Sequence, residues 1–381
     1  MKWEIAKLGD ISKNIQTGPF GSQLHQSDYS ECGIPVVMPK DLVGGKISEE
    51  SIRTVFNEMV PRALEEYTKE AYAKANERIT NWENSVLPRV NEVKGMLEAF
   101  ADPAFQQILR KAQQSAAVTD EKADYDLLTE LLVCHVEKGD SRKNYVGINK
   151  AVEIVGQIDN DALCGLTVAH VLERFAPITG DVTHGLEVLE EVYRKLVYQD
   201  LPKGEDWLDH LDTLGAIRMS SVGGFNKFVD YYPKVLNGYA CIGIKKESEE
   251  YHKASELLQE ISLNAETCLK PNEFLDGFVR IDIRGFDQIE TLWVIHQGIR
   301  KPITSKEKQV FEAVWKLYET DANKQKQVNE AFVKKWDSYP VLKEIHGWWD
   351  EIPTSFSITK VGEILAHTNA KRCDSTIPDM I

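Results

Sequence analysis

The sequence lacks several features that assign a chain to a functional class. No apolar run in its 381 residues approaches the roughly 18–20 residues of a membrane span, and the first residues lack the apolar stretch of a secretory signal. The six cysteines form no Cys-x-x-Cys pair, which in a chain of this length indicates reduced, buried thiols. These absences predict a cytoplasmic protein with no membrane partner.

The chain also has fewer positively charged than negatively charged residues. The chain has 45 Lys and Arg against 60 Asp and Glu, for a net charge of −15. Residues 1–48 are neutral, with five lysines and five acidic residues, so the whole excess of negative charge lies beyond them. Because phosphate binding needs clustered Lys and Arg, this balance argues against a protein held on nucleic acid by bulk electrostatics.

Catalytic and metal-binding motifs are missing as well. The chain has no Gly-x-x-x-x-Gly-Lys-Ser/Thr loop, no His-Glu-x-x-His and no Gly-x-Ser-x-Gly. Glu249 and His252 form a single Glu-x-x-His, whereas a di-iron bundle uses two with two further glutamates. We therefore expect no metal, no cofactor and no enzymatic activity. The alternative is an effector enzyme whose site is assembled across helices and leaves no motif.

What is present divides the chain into two parts. Residues 1–48 hold six glycines and three prolines between short apolar runs, which predicts strands and loops. From Ser48, the predicted N-cap, apolar residues including Ile52 and Val55 recur at helical spacing. Similar stripes recur at about 143–156, 160–175, 184–198 and 205–214. The pattern predicts a mainly α fold, an antiparallel helical array with a small α+β N-terminal head.

One region departs from this helical pattern. After the amphipathic helix at 205–214, Ala216–Met219 and Gly238–Ile244 predict a β-ribbon, and a helix with a ribbon indicates a winged-helix-like insertion. The helix has no basic residue, so we expect it to pack or to contact protein rather than DNA. Its acidic residues are Glu205, Asp206, Asp209 and Asp212.

Tryptophans are concentrated in the last third of the chain, at Trp293, Trp315, Trp336, Trp348 and Trp349. Burial in the core is the first interpretation of this cluster, and a protein interface, where Trp is a favoured anchor, is the alternative. The predicted domains are a head at 1–48, a helical domain at 49–200, the helix with its ribbon at 201–300, an aromatic-rich helical region at 301–368 and a loose tail at 369–381.

An ordered set of short segments near the start resembles a known family. The set comprises Trp3–Asp10, Gly18–Leu24, Asp28-Tyr29, Gly33–Val37, Lys40–Leu42 and Gly45–Ile47. It resembles the beginning of a target-recognition domain in the specificity (S) subunit of type I restriction-modification enzymes, over about residues 3–52. That domain reads half of a bipartite DNA site, which implies DNA contacts by Gly18, Phe20, Gly21, Ser22, Gln23 and Tyr29. The later strands and the second copy are absent from this chain, so protein docking is the alternative role.

A second resemblance covers about residues 50–260. It is carried by Phe100–Gln106, Ala112-Gln113, Leu127–Val133 and Ile148–Glu153. These segments resemble an uncharacterised bacterial all-helical family known by locus names. The resemblance implies a helical, self-associating protein and names no reaction.

Together these observations predict a non-enzymatic component of a bacterial restriction-type anti-phage defence system. We expect it to act through protein partners of that system and as a homo-oligomer, with the head as a docking or DNA-sensing element. The alternative is a DNA-binding specificity subunit that directs a methyltransferase and a nuclease.

Overall fold

The computed structural model describes residues 29–30, 34–36, 42–43, 46–47, 53–55, 59–138, 141–220, 225–296 and 299–379. The chain divides into two compact units, residues 1–77 and 78–381. In the part that is described, no helix is both long and apolar enough to cross a bilayer.

The described part of the first unit contains short strands. They are β1 (Tyr29–Ser30), β2 (Ile34–Val36), β3 (Leu42–Val43), β4 (Lys46–Ile47) and β5 (Arg53–Val55). Strand β5 is central in a three-stranded antiparallel sheet of order β1-β5-β2, while β3 and β4 form a separate hairpin.

The helix predicted from Ser48 is wrong for residues 53–55, and the first described helix begins at Met59. Val55 pairs with Tyr29 on one side and with Ile34 on the other. Pairing with two neighbouring strands outweighs a helical stripe that includes β-branched Thr54 and Val55. The sheet also crosses the boundary predicted between residues 48 and 49.

Helices dominate the second unit, which confirms the mainly α prediction. The first seven helices among the described residues are α1 (Met59–Glu92), α2 (Met96–Ala99), α3 (Pro103–Val118), α4 (Lys122–Lys138), α5 (Arg142–Ile154), α6 (Asn160–Arg174) and α7 (Val182–Leu196). They are followed by α8 (Asp206–Thr213), α9 (Phe228–Val235), α10 (Glu249–Gln259), α11 (Ala265–Cys268), α12 (Ser305–Trp315), α13 (Ala322–Trp336), α14 (Pro340–Glu351) and α15 (Lys360–Cys373). The spans of α5, α6, α7 and α8 agree with the helices predicted at 143–156, 160–175, 184–198 and 205–214.

Helix α15 lies at the centre of the helical array although it comes late in the chain. It packs against α4, α5 and α6, and the Asn369 amide donates a hydrogen bond to the Thr167 hydroxyl over 2.9 Å. Asn369 is fully buried and Ile377 is 5% exposed. The prediction of a loose tail from residue 369 is therefore wrong, because α15 continues through this position and the following residues pack against the core.

The ribbon predicted within 201–300 is paired differently. Strand β6 (Ile217–Met219) pairs with β12 (Phe356–Ile358), so the Gly238–Ile244 segment is not its partner. Instead, β7 (Ile244–Lys245), β8 (Leu269–Pro271) and β9 (Phe278–Ile281) form a sheet of order β7-β9-β8. In the chain, α10 and α11 lie between β7 and β8. Strands β10 (Trp293–His296) and β11 (Ile299–Pro302) form a hairpin.

The hydrophobic side chains of the second unit form two clusters. The larger joins the helices α3 to α9 with α13, α14 and α15. The smaller is built around the β7-β9-β8 sheet with α10 and α12. Trp336, Trp348 and Trp349 are at most 5% exposed and belong to the larger cluster. They therefore serve the core, whereas Trp293 is 52% exposed.

Candidate functional site

The residues that the S-subunit resemblance assigns to DNA contact are largely beyond what the structure describes. Gly18, Phe20, Gly21, Ser22 and Gln23 lie outside the described residues. Tyr29 belongs to β1, where its backbone pairs with that of Val55. DNA contact by this segment stays a prediction.

The acidic helix α8 is held by packing. Trp207, Leu208 and Leu211 are buried on one side of it. On another side, the Asp212 carboxylate accepts a hydrogen bond from the backbone N–H of Met219 over 3.3 Å. These contacts connect α8 to β6 and to the core.

The Glu249-x-x-His252 pair lies in the first turn of α10. Ser248 caps this helix by accepting a hydrogen bond from the backbone N–H of Tyr251 over 3.2 Å. Across the described ranges, no group of three or more His, Cys, Asp or Glu side chains is placed to hold a metal ion.

The candidate site is a cavity of about 600 Å³ between the later part of α1, helix α4 and helix α15. Helix α4 contributes residues spaced three and four apart, which therefore lie on one face. Residues that follow α15 border the cavity too. The lining residues are Ser85, Pro88, Arg89, Asp126, Thr129, Glu130, Val133, Cys134, Glu137, Lys138, His367, Thr368, Lys371, Arg372, Ser375 and Asp379.

Charges of opposite sign balance in this lining, unlike in the chain as a whole. Arg89 and Glu130 form a two-point ion pair, with Nε to Oε1 at 2.9 Å and Nη2 to Oε2 at 3.0 Å. Lys371 on α15 pairs with Asp379. This ion pair is the main reason why the pKa of the Asp379 carboxyl is lowered from its usual value.

Two buried histidines lie next to each other, and one of them, His367, lines the cavity. His367 is 4% exposed and His170 is 1% exposed, with their ring centroids 5.9 Å apart. Phe175 stacks on His367 at 5.7 Å. Among the described residues, no hydrogen-bond partner is found for either nitrogen of either ring.

Burial keeps both rings neutral. Burial first, with the neighbouring His367, Arg174 and Lys360 acting in the same direction, lowers the pKa of His170 to about 3. Burial also lowers the pKa of His367 to about 4, helped by the positive charges of Lys138, Lys371 and Lys360. Each neutral ring therefore has one N–H donor and one nitrogen acceptor available for a hydrogen bond.

Cys134 lines the same cavity as His367. Burial raises the pKa of the Cys134 thiol, with the positive charge of Lys138 acting in the opposite direction. The thiol form is therefore favoured over the nucleophilic thiolate. This chemistry suits recognition of a ligand by charge and hydrogen bonding better than covalent catalysis.

Sequence reasoning missed both histidines because it searched for short motifs, and these residues are far apart in the chain. A signal was nevertheless present. His170 lies between Ala169 and Val171, and His367 follows Leu365 and Ala366, so each interrupts a run of small and apolar residues. A polar residue at such a position is expected to be buried and to need a partner.

Comparison with known proteins gives one match. A family model matches residues 47–378, and the family is uncharacterised and designated by a locus name. No curated protein and no solved structure matches the chain, and nothing in these comparisons supports the resemblance to an S subunit. Because the matched segment is most of the chain and includes the candidate cavity, the protein belongs to this uncharacterised family.

Proposed function

We propose that this protein is a non-enzymatic component of a bacterial restriction-type anti-phage defence system. It acts by binding protein partners of that system and further copies of itself. The segment that resembles an S subunit is its docking or DNA-sensing element.

The observation that carries this proposal is how the arginines of residues 78–379 are used. Most of them form ion pairs with carboxylates of the same chain, and an arginine held in this way is less available to phosphate. The negative net charge further disfavours contact with DNA. The ion pairs are Arg78–Asp120, Arg89–Glu130, Arg174–Glu363, Arg194–Glu190, Arg218–Asp212, Arg280–Glu273 and Arg284–Asp287.

The sheet of the first unit supports a link between the two resemblances. Strands β1 and β2 come from the segment that resembles an S subunit, and β5 lies in the segment matched by the family model. All three share one hydrogen-bonded sheet. Two strands of the segment that resembles an S subunit therefore pair with a strand of the region that the family model matches.

Exposed apolar side chains support self-association. Ile178 is 89% exposed, and its carbonyl oxygen accepts a hydrogen bond from the Gln288 amide over 2.6 Å. Phe286, two residues before Gln288, is 40% exposed and its ring lies 5.5 Å from that of Trp315. Exposed apolar groups of this kind are typical of protein interfaces.

The test for DNA is fluorescence anisotropy of labelled duplexes with the full chain over a salt series. The proposal is supported if the full chain binds DNA weakly and the Gln23→Ala variant binds it equally weakly. Tight binding that falls steeply with salt and is lost in Gln23→Ala would overturn it in favour of a DNA-binding specificity subunit.

The test for self-association is light scattering of the full chain over a concentration series. We expect a mass above the 43.2 kDa of one chain, and a shift towards that mass in Ile178→Asp. The matched control is Val146→Asp, at a position that is 58% exposed on α5. A mass of one chain at every concentration would contradict the proposal.

A further inference from the structure

We propose that the cavity between α1, α4 and α15 binds a small molecule through one oxyanion, a carboxylate or a phosphate, and that Asp379 competes for the same position. This inference does not depend on the proposed defence role. It identifies a ligand class for a site to which no comparison assigns a role.

The first argument is that the protein itself places a carboxylate at this point. The Asp379 carboxylate accepts a hydrogen bond from the Lys371 ammonium group. Lys138 and His367, which also line the cavity, act on the same carboxyl through their charge and polarity. An oxyanion brought by a ligand would meet the same groups, since carboxylates and phosphates both accept charge-assisted hydrogen bonds from lysine.

The second argument is that the Asp379 contact is easily exchanged. The Asp379 side chain is 65% exposed and that of Lys371 is 31% exposed. Ion pairs this open to solvent contribute little to stability, because water screens the charges and both side chains lose conformational freedom. A ligand can therefore replace Asp379 at little cost to the fold.

The third argument is the unused hydrogen-bonding capacity of His367. Within the described structure its two ring nitrogens have no partner, although the residue is 4% exposed and lines the cavity. A buried polar group without a partner lowers the stability of the fold, because the hydrogen bonds it made to water are not replaced. A ligand that accepts a hydrogen bond from this ring recovers part of that stability. Thr368, also buried at the wall, adds a hydroxyl group.

The remaining charges restrict the ligand further. Glu137 and Asp126 lie on the α4 side of the cavity, where Asp126 is paired with Lys122 and Glu130 with Arg89. A second negative group on the ligand would meet these carboxylates and be repelled. The geometry therefore favours a ligand with one oxyanion and a neutral or positively charged remainder.

The test uses the full chain with labelled histidine, and follows the ring signals of His367 by NMR during titration with inorganic phosphate and, separately, with acetate. The His367→Phe variant assigns the signals and keeps the stacking on Phe175. A saturable shift with one probe supports the site and identifies whether phosphate or carboxylate is its oxyanion. The proposal is overturned if neither phosphate nor acetate produces a saturable shift of the His367 signals, in the wild type and in Asp379→Asn alike.

Two variants measure the competition. Asp379→Asn removes the competing charge, and we expect it to tighten binding roughly two- to fivefold. Lys371→Met removes the main donor, and we expect binding to weaken roughly two- to fivefold. The control is Glu290→Gln, which breaks the exposed Lys308–Glu290 pair on other elements. The proposal would be overturned if Glu290→Gln tightened binding as much as Asp379→Asn does, or if Lys371→Met left binding unchanged. Either result would indicate nonspecific anion binding.

Discussion

At the scale of single residues, buried polar groups in this protein follow two different patterns. The guanidinium of Arg280 is fully buried, but Glu273 binds it at 2.6 and 2.9 Å and the Gly180 carbonyl accepts a third hydrogen bond at 2.9 Å. His170 and His367 are equally enclosed with no such partners among the described residues. The first pattern stabilises a fold, whereas the second leaves groups that respond to protons or to a ligand.

The histidine pair predicts a loss of stability in acid. The unfolded chain binds protons near pH 6.5, but the pKa of His170 is about 3 and that of His367 is about 4 in the folded protein. The two neutral histidines make their full contribution to the free energy of unfolding above pH 6.5. This contribution is lost as the pH falls from 6.5 towards the folded-state pKa values of about 4 and about 3, because the unfolded state then binds more protons. The charged groups facing the pair are Arg174, Lys138, Lys360, Lys371 and Asp379.

We expect His170→Leu to reduce the pH dependence of the free energy of unfolding between about pH 4 and 6 by up to ~1.4 kcal/mol per pH unit, the value for one proton. Urea unfolding at a series of pH values measures this slope. The control is His252→Leu, at an exposed position. An unchanged slope in His170→Leu would show that its pKa is close to that of the unfolded chain.

At the scale of elements, local chemistry explains where helices begin but not where they pack. Asp181 caps α7 by accepting a hydrogen bond from the His184 N–H over 2.7 Å, and Thr304 and Glu307 form a capping box on α12. Such starts can be identified from sequence. The approach of α15 to β6 cannot, because it depends on the close contact of Gly362 with the Ala216 carbonyl oxygen, between segments far apart in the chain.

Two helical glycines give opposite predictions for substitution by alanine. A Cβ on Gly362, in the first turn of α15, would lie 2.1 Å from the Ala216 carbonyl oxygen next to β6. We expect Gly362→Ala to lower the free energy of unfolding by roughly 1–3 kcal/mol. A Cβ on Gly347 in α14 would meet nothing within 4 Å, so Gly347→Ala should raise stability by about 0.5–1 kcal/mol.

Urea denaturation of both variants, with circular dichroism as the readout, measures the two effects. The pair serves as its own control, since the same methyl group is added to a helix in each case. Equal effects of the same sign would show that α15 does not approach β6 as closely as the structure places it.

At the scale of the whole molecule, residues 78–381 form one compact unit because the last helices in the chain share a hydrophobic core with the helices that precede them. Trp336, Trp348 and Leu365 are all at most 5% exposed within the larger core. Helix α15 fills the space bounded by α4, α5 and α6. A cut placed before α13 therefore removes core and not only surface.

We expect a chain ending before Ala322 to lose its cooperative thermal transition and much of its helical circular dichroism. Deletion of residues 1–56 should instead leave a cooperative transition, since residues 78–381 form a compact unit of their own. Thermal melts of the two truncated proteins beside the full chain make the comparison. A native-like melt of the first truncation would contradict the packing of α13 to α15 described above.

The sequence by itself determined the mainly α character, the spans of helices such as α5 to α8 and the burial of Trp336, Trp348 and Trp349, because these follow from local periodicity and from hydrophobicity. Tertiary structure alone decided that β6 pairs with β12, that residues 53–55 form a strand, and that residues after 369 belong to the core. It also brought His367 and Asp379 to one cavity and placed the ring of His170 beside that of His367. Periodicity places a residue on a face of its own element, and only the packing of distant segments decides which other face it meets.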